Sequence, residues 1–246
     1  MNALPPPGWF PDPTGRGDRR YWDGARWTVT VDLDRAQFLD PLPDDPTPGP
    51  RLGPPHADLP AEAFAQTGAA AGSLVLCRRR KMSLVDLYPS WSMHESDGRW
   101  LGGARFVTVT DPANLNARQI RVADGAGAET FTLEMDPPAA AVRLLIGGAE
   151  RGAISRQRRP KFGIAIDGRS AGGAEPSAGW GRLHITAADG APLATATKVA
   201  SKLARAWAKR AEWFPERVVD GDRSLTTLAA VLAMDPFLID LVHAPG

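Results

Sequence analysis

Apolar positions are densest in the last stretch of the chain, Leu225 to Val242 (LTTLAAVLAMDPFLIDLV). Leu225, Leu228, Val231, Leu232, Phe237, Leu238, Ile239, Leu241 and Val242 leave no polar stripe wide enough to face water. A helix that is apolar all round is buried, in a protein core or in lipid. At roughly 1.5 Å per residue it would be about 27 Å long, near the thickness of a bilayer core. Asp235 and Asp240 favour the protein core, because each costs about 2.5–3.5 kcal/mol near a membrane centre. Pro236 removes an N–H and strains the helix at that point. The pattern predicts a helix enclosed by the rest of the chain, with a kink or break near Asp235-Pro236.

From Ser73 onward the texture is that of short strands. The alternation predicts them at Leu74–Cys77, Leu84–Glu95, Trp100–Val109, Gln119–Val122, Thr130–Met135 and Val142–Ile146, then at Ala153–Ser155, Phe162–Ile166, Gly181–Thr186, Leu193–Thr197 and Phe214–Val219. Asp97-Gly98, Asp124-Gly125, Gly147-Gly148, Asp167-Gly168 and Asp189-Gly190 punctuate them and supply the positive φ that tight hairpins need. Many short strands suit a sandwich or a barrel. A sandwich core is filled by its own sheets, whereas a closed barrel of about a dozen strands has room for a central helix. The expected fold is therefore mainly β: a closed antiparallel barrel of about twelve strands around a buried C-terminal helix, spanning 73–246.

The N-terminus differs. Residues 5–31 (PPPGWFPDPTGRGDRRYWDGARWTVTV) carry Trp9, Tyr21, Trp22 and Trp27 in a very short piece, and Asp23-Gly24 between Tyr21-Trp22 and Arg26-Trp27 is a hairpin signal. A small Trp-rich β module is expected there. Residues 32–72 read as a proline-rich, acidic linker, disordered or extended, with at most a turn of helix in AEAFAQTGAAAG.

Composition sharpens this only where it is uneven. The 246 residues carry a net charge of +1, but residues 1–72 hold 6 Arg against 10 Asp+Glu, and residues 73–246 hold 23 Lys+Arg against 18 Asp+Glu. The second part is expected to meet something anionic. A lone cysteine, Cys77, excludes an internal disulfide and fits a reducing cytosol. MNALPPPGWF has no basic or apolar leader region, so a cytoplasmic location is expected, with peripheral association at the inner face of the plasma membrane.

Two resemblances enter here. GWFPDP followed by RYWDGARWT is similar to the small domain of unknown function (the GWYPDP…RYWDG..WT module) found near the termini of many actinobacterial proteins. It also resembles a WW domain in miniature, which implies docking of proline-rich peptide in polyproline II form. Trp9, Tyr21, Trp22 and Trp27 would then carry the docking, and the nearest proline-rich ligand is the chain's own linker. The stretch LVLCRRRKMSLVDLYPSWSMHESDGRWLGGARF resembles the opening of phospholipid scramblase-like proteins. The later FGIAID, GRLHITAADGAPLATATK and FLIDLV follow that family's order, with Lys198 at the strand-end lysine. The resemblance implies the tubby C-terminal-like fold shared by LURP-one-related proteins. Ala200 stands where that family usually has Trp, and neither its acidic calcium loop nor its cysteine cluster is present.

Catalytic chemistry finds little support. His56, His94, His184 and His243 are far apart in sequence, and neither His-Glu-x-x-His nor Cys-x-x-Cys occurs. Gly168-Arg-Ser170-Ala-Gly172 matches G-x-S-x-G, but AGGAEPSAG cannot form the helix that a nucleophile elbow requires. No catalytic residue, metal site or cofactor is expected. The charge signal is stronger. Arg78, Arg79, Arg80 and Lys81 form one basic run, and Arg156, Arg158, Arg159 and Lys161 another. Lys198, Lys202, Arg205 and Lys209 fall at i, i+4, i+7 and i+11 of a helix, opposite Leu203, Trp207 and Phe214. Such a helix can lie on an anionic membrane surface or cap the barrel with Trp207 inward. The expected function is a non-enzymatic barrel that binds an anionic phospholipid surface or a membrane-associated protein, without nucleic acid as a partner. A soluble adaptor and a true scramblase are the alternatives.

Overall fold

A computed structural model describes residues 5–33, 36–40, 55–79, 90–109, 118–135, 141–158 and 161–234. Four short strands come first: β1 (Gly8–Pro11), β2 (Arg19–Trp22), β3 (Trp27–Leu33) and β4 (Ala36–Leu39). After a short helix, α1 (Ala61–Ala65), come β5 (Leu74–Arg79), β6 (Ser90–Glu95), β7 (Trp100–Val109), β8 (Arg118–Asp124), β9 (Glu129–Met135) and β10 (Ala141–Ile146). They are followed by β11 (Ala149–Arg158), β12 (Lys161–Ile166), β13 (Arg169–Pro176), β14 (Arg182–Ala187) and β15 (Pro192–Lys198). Helix α2 (Ser201–Arg210), β16 (Trp213–Gly221) and helix α3 (Leu225–Ala233) complete the described chain.

Strands β5 to β16 run up and down, each paired antiparallel with its neighbour, and β16 closes on β5 through Val218↔Val75 and Val219↔Leu74. The result is the expected closed twelve-stranded barrel. Its lumen is filled by the alternate residues of each strand, such as Phe131, Leu133 and Met135 on β9 and Leu183 and Ile185 on β14.

Helix α3 lies within this lumen. Ala229, Ala230, Val231, Leu232, Ala233 and Met234 are buried with the strand residues. The helix touches β13, β14 and β15, where Ala174, Ala194 and Ala196 point inward. Small side chains on both surfaces let helix and wall approach closely at interior packing density. The N-terminus of α3 is fixed by Ser224, whose side chain accepts from the Thr227 N–H. The expected enclosure of the apolar tail is thus seen for 225–234, with α3 ending at Ala233. The expected break at Asp235-Pro236 and the run to Val242 lie outside the described residues, as does the expected start of β6 at Leu84.

The sequence reading missed β13, whose RSAGGAEP has no β-branched residue to announce a strand. Its neighbours β12 and β14 impose it. The stretch read as a disordered linker needs correcting where it is described, at 32–33, 36–40 and 55–72; its proline-dense part, 41–54, lies outside the described residues. β3 continues to Leu33 and β4 follows within the stretch. Residues 55–72 lie across the outer face of the barrel, where Ala57 and Phe64 pack with Val75, Cys77 and Trp213 in a second apolar cluster. This strap explains why Leu74–Cys77 is apolar without alternation, since β5 is covered on both faces. At Gly103 the strap comes so close that an added Cβ would lie 2.4 Å from the Pro55 carbonyl oxygen.

The N-terminal strands continue the barrel wall. β4 pairs with the end of β7 at Ala36↔Val109 and Gln37↔Thr108, beyond the point where β6 stops. The centre of this module is an ion cage. Arg20, 0% exposed, donates from Nε to Asp12 Oδ1 (2.9 Å) and from Nη2 to Asp40 Oδ2 (2.6 Å). Its Nη1 donates to the Thr28 and Asp40 carbonyls (3.0 and 2.7 Å).

Candidate functional site: the basic end of the barrel

Antiparallel pairing sorts charge along the barrel axis. The C-terminal ends of β5, β11 and β15, the N-terminal ends of β12, β14 and β16, and helix α2 all lie at one end. That end therefore collects Arg78 and Arg79, Arg156 and Arg158, Lys161, Arg182, Lys198 and the cations of α2. The opposite end collects the turn carboxylates Asp97, Asp124, Asp167, Asp189 and Asp222. Basic runs separated by more than a hundred residues in sequence meet because each sits at the same phase of the up-and-down path.

Not every cation there is available. Arg78 is paired with Glu216 (3.0 Å) and lies over the Trp91 ring, and Arg79 is paired with Glu212 (2.5 Å). Lys161 meets Glu175 at 3.2 Å. Arg78, Arg79 and Lys161 each have a carboxylate partner within the fold. Arg156 is half-buried on β11. Arg80, Lys81 and Arg159 lie outside the described residues, and for Arg158 only the strand position is described.

Helix α2 supplies the rest. Ser201–Arg210 (SKLARAWAKR) is made almost entirely of good helix formers. Its basic residues Lys209 and Arg210 occupy the last turn, where the helix dipole favours positive charge. Lys198 is not on this helix, contrary to the spacing argument. It ends β15 opposite Arg217 and stands beside the helix start. Lys198, Lys202, Arg205, Lys209 and Arg210 are all exposed, and none pairs with a carboxylate among the described residues. Arg205 reaches only its own helix, donating to the Ser201 carbonyl at 3.2 Å. Arg217, 4% exposed on β16 opposite Leu76, adds a further buried positive charge at this end.

The apolar face of α2 is spent on the fold. The helix packs on β16, Trp207 is buried, and its indole N–H donates to Gln66 Oε1 of the strap at 3.1 Å. The helix is therefore a cap on the barrel with its cations outward, and Trp207 is not an inserting anchor.

The N-terminal module joins at the same end. Asp40, besides Arg20, accepts from Arg16 (2.9 Å) and is one of the charges acting on Arg105 of β7. Burial at this junction, with Arg79 and Arg16 nearby and Asp40 opposing, pushes the Arg105 guanidinium down to about 10. It stays protonated at neutral pH. The four aromatics singled out in sequence fall on two faces. Trp9 meets Tyr21 edge to face at 5.5 Å with Arg19 over Trp9, and Trp22 meets Trp27 at 5.3 Å. All four are half-buried, so they hold the module together and still present surface.

Sequence reasoning missed the polar centres. Arg20, Asp12 and Asp40 gave no signal beyond Arg20 falling on the Phe10, Trp22 and Val31 face of a strand pattern. His94 is 1% exposed beneath the strap, beside Phe64 and His56. Ser92 Oγ accepts from the Ala57 N–H at 2.9 Å, so its own proton goes to His94 Nε2 at 2.8 Å. His94 Nδ1–H then donates to the Gly98 carbonyl at 3.0 Å. Burial holds this imidazole below its ordinary value, and it is neutral. Burial likewise raises the Cys77 thiol far above its usual range. Ser170 lies within β13, with strand rather than helix after it. Among the described residues no group of three His, Cys, Asp or Glu could hold a metal, and no helix is long and apolar enough to cross a membrane.

Comparison with known proteins bears mainly on the N-terminal module. No curated protein matches the chain. Among solved structures, a crystal structure of a protein from Arabidopsis thaliana is similar at a TM-score of 0.42 and 14% identity, covering 74% of this chain and 99% of that one. Residues 7–41 match the family described as "Protein of unknown function (DUF2510)". The matched residues hold the module β1–β4, which is joined to a twelve-stranded barrel with a helix in its lumen.

Proposed function

We propose that this protein is a non-enzymatic, scramblase-like barrel that docks reversibly on anionic phospholipid surfaces through its basic end, while the N-terminal module recruits a partner. The observation that carries the reading is the set Lys202, Arg205, Lys209 and Arg210 on a helix whose apolar face is already used, with Lys198 beside its start, all exposed and without carboxylate partners among the described residues. Each Lys or Arg near an anionic membrane contributes about 1 kcal/mol. Five of them give about 5 kcal/mol, an affinity in the high micromolar range. Binding of that strength is reversible, and it is salt-sensitive because exposed charges are screened within about 8 Å at physiological ionic strength. The site of action would be the cytoplasmic face of a membrane.

The test is co-sedimentation of the purified protein with vesicles of phosphatidylcholine alone or with phosphatidylserine. Binding only to the serine-containing vesicles, weakening with salt and with Lys202→Glu plus Arg205→Glu, supports the reading. Equal binding to both vesicle types, or to neither, refutes it. A soluble adaptor is the second reading, favoured by the half-exposed aromatics of the module. One stoichiometric protein partner with no vesicle binding would establish it. Lipid scrambling would require α3 to leave the lumen in which it is packed.

A further inference from the structure

The chain enters β1 through Pro5-Pro6-Pro7. Proline fixes φ near −65°, and a residue that precedes proline is driven to extended backbone. Pro5 and Pro6 are both, which favours the polyproline II backbone, and Pro7 sits at a bend before β1. The segment is seated on the module. The Trp22 indole N–H donates to the Pro5 carbonyl at 3.0 Å. The Pro7 ring lies over Gly24, where an added Cβ would come 3.2 Å from Pro7 Cγ. Gly24 has φ +99°, so glycine serves both the turn and the shelf. Beside this shelf Trp27 stands edge-on to Trp22 at 5.3 Å and to Phe10 at 6.2 Å, all three half-buried. The three prolines themselves are exposed.

An aromatic shelf with an indole donor aimed at a proline carbonyl is the chemistry by which preformed proline helices are read, at low entropic cost to the ligand. We propose that the Trp22–Trp27 shelf is a binding site for proline-rich segments in the polyproline II conformation, and that Pro5–Pro7 of the same chain occupies it. The occupant in trans is a proline-rich stretch of a separate polypeptide. It must compete with a tethered segment whose effective concentration is in the millimolar range. This names the partner class for the recruiting module proposed above. It is independent of the vesicle experiment, which reads α2 alone.

The experiment titrates an octaproline peptide into the full chain and follows the tryptophan indole N–H signals by NMR, with Trp22→Phe assigning the Trp22 signal. The expected result is weak binding that moves Trp22 and Trp27 and leaves Trp91 and Trp213 still. Binding should be at least fivefold tighter in a Pro5→Ala, Pro6→Ala, Pro7→Ala variant, and it should be lost in Trp22→Phe, which keeps a ring and removes the donor. Absence of indole shifts in both parent and triple variant overturns the site. Equal affinity of the two overturns the self-occupancy, as does collapse of the module's indole signals in the triple variant, which would make the prolines a structural buckle.

Discussion

Asp12→Asn is the sharpest perturbation of the N-terminal module. The Arg20 guanidinium is wholly enclosed, with Asp12 at 2.9 Å and Asp40 at 2.6 Å as its counter-charges. Asp12 also accepts from Gly17 N–H (2.8 Å), Thr14 N–H (3.1 Å) and Thr14 Oγ–H (2.8 Å), pinning the turn before β2. Asparagine removes the charge and turns an NH₂ toward groups that donate. Removing one partner of a buried pair costs about 3–5 kcal/mol. Asp40 remains, so the lower end, about 3 kcal/mol, is expected. A module of this size has little core to absorb that loss, so it should open locally while the barrel stays closed. Hydrogen exchange by mass spectrometry reads this directly. Peptides within 5–40 should lose protection, and those from β9 to β15 should not. Arg20→Met should cost at least as much, because it leaves Asp12 and Asp40 buried without the cation they share. A change below about 0.5 kcal/mol, the scatter of ordinary surface substitutions, would refute the cage as the module's anchor. The pH dependence has a definite sign. Burial raises the Asp12 carboxyl, but hydrogen bonds from Arg20, Gly17 and Thr14 outweigh it and hold it below its ordinary value of 3.8. Its contribution is full above 3.8 and is lost as pH falls through the depressed value.

Three further outcomes follow from the barrel. Leu232→Ala, at a position 1% exposed in the lumen, should cost about 2–5 kcal/mol in denaturant unfolding, while Leu228→Ala at the half-exposed mouth costs less than half as much; equal losses would contradict an enclosed helix. Burial lowers the His94 imidazole below 6.5, so the unfolded chain takes its proton first and stability falls as pH drops below 6.5. His94→Gln should flatten that slope between pH 7 and 5, and an unchanged slope would dismiss His94 as its source. Cys77, buried with its thiol raised, should resist a disulfide reagent until the protein unfolds, and rapid native labelling would contradict its placement under the strap.

Much of the barrel was legible because alternation and Asp-Gly or Gly-Gly turns repeat from Leu74 to Val219, and because an apolar tail without a polar stripe needs a container. β13 was illegible because its glycines carry no pattern, and pairing from β12 and β14 decides it. The strap was illegible for another reason. Ala57 and Phe64 are few and widely spaced, and only the face of β5 they cover makes them core. At the basic end, sequence found the cations but not their partners. Glu212 and Glu216 cancel Arg79 and Arg78 across the barrel seam, 133 and 138 residues away. Helix α2 was legible in period, whereas the destination of its apolar face was open until Trp207 was placed against Gln66.

Hydrogen exchange with and without phosphatidylserine vesicles tests the central claim most directly, because it separates docking from insertion. Added protection is expected on Lys198–Arg210 and no loss on Leu225–Met234, since the barrel meets the surface with its helix still inside. Loss of protection in Leu225–Met234 on vesicle binding, or no change at Lys198–Arg210, would contradict that claim.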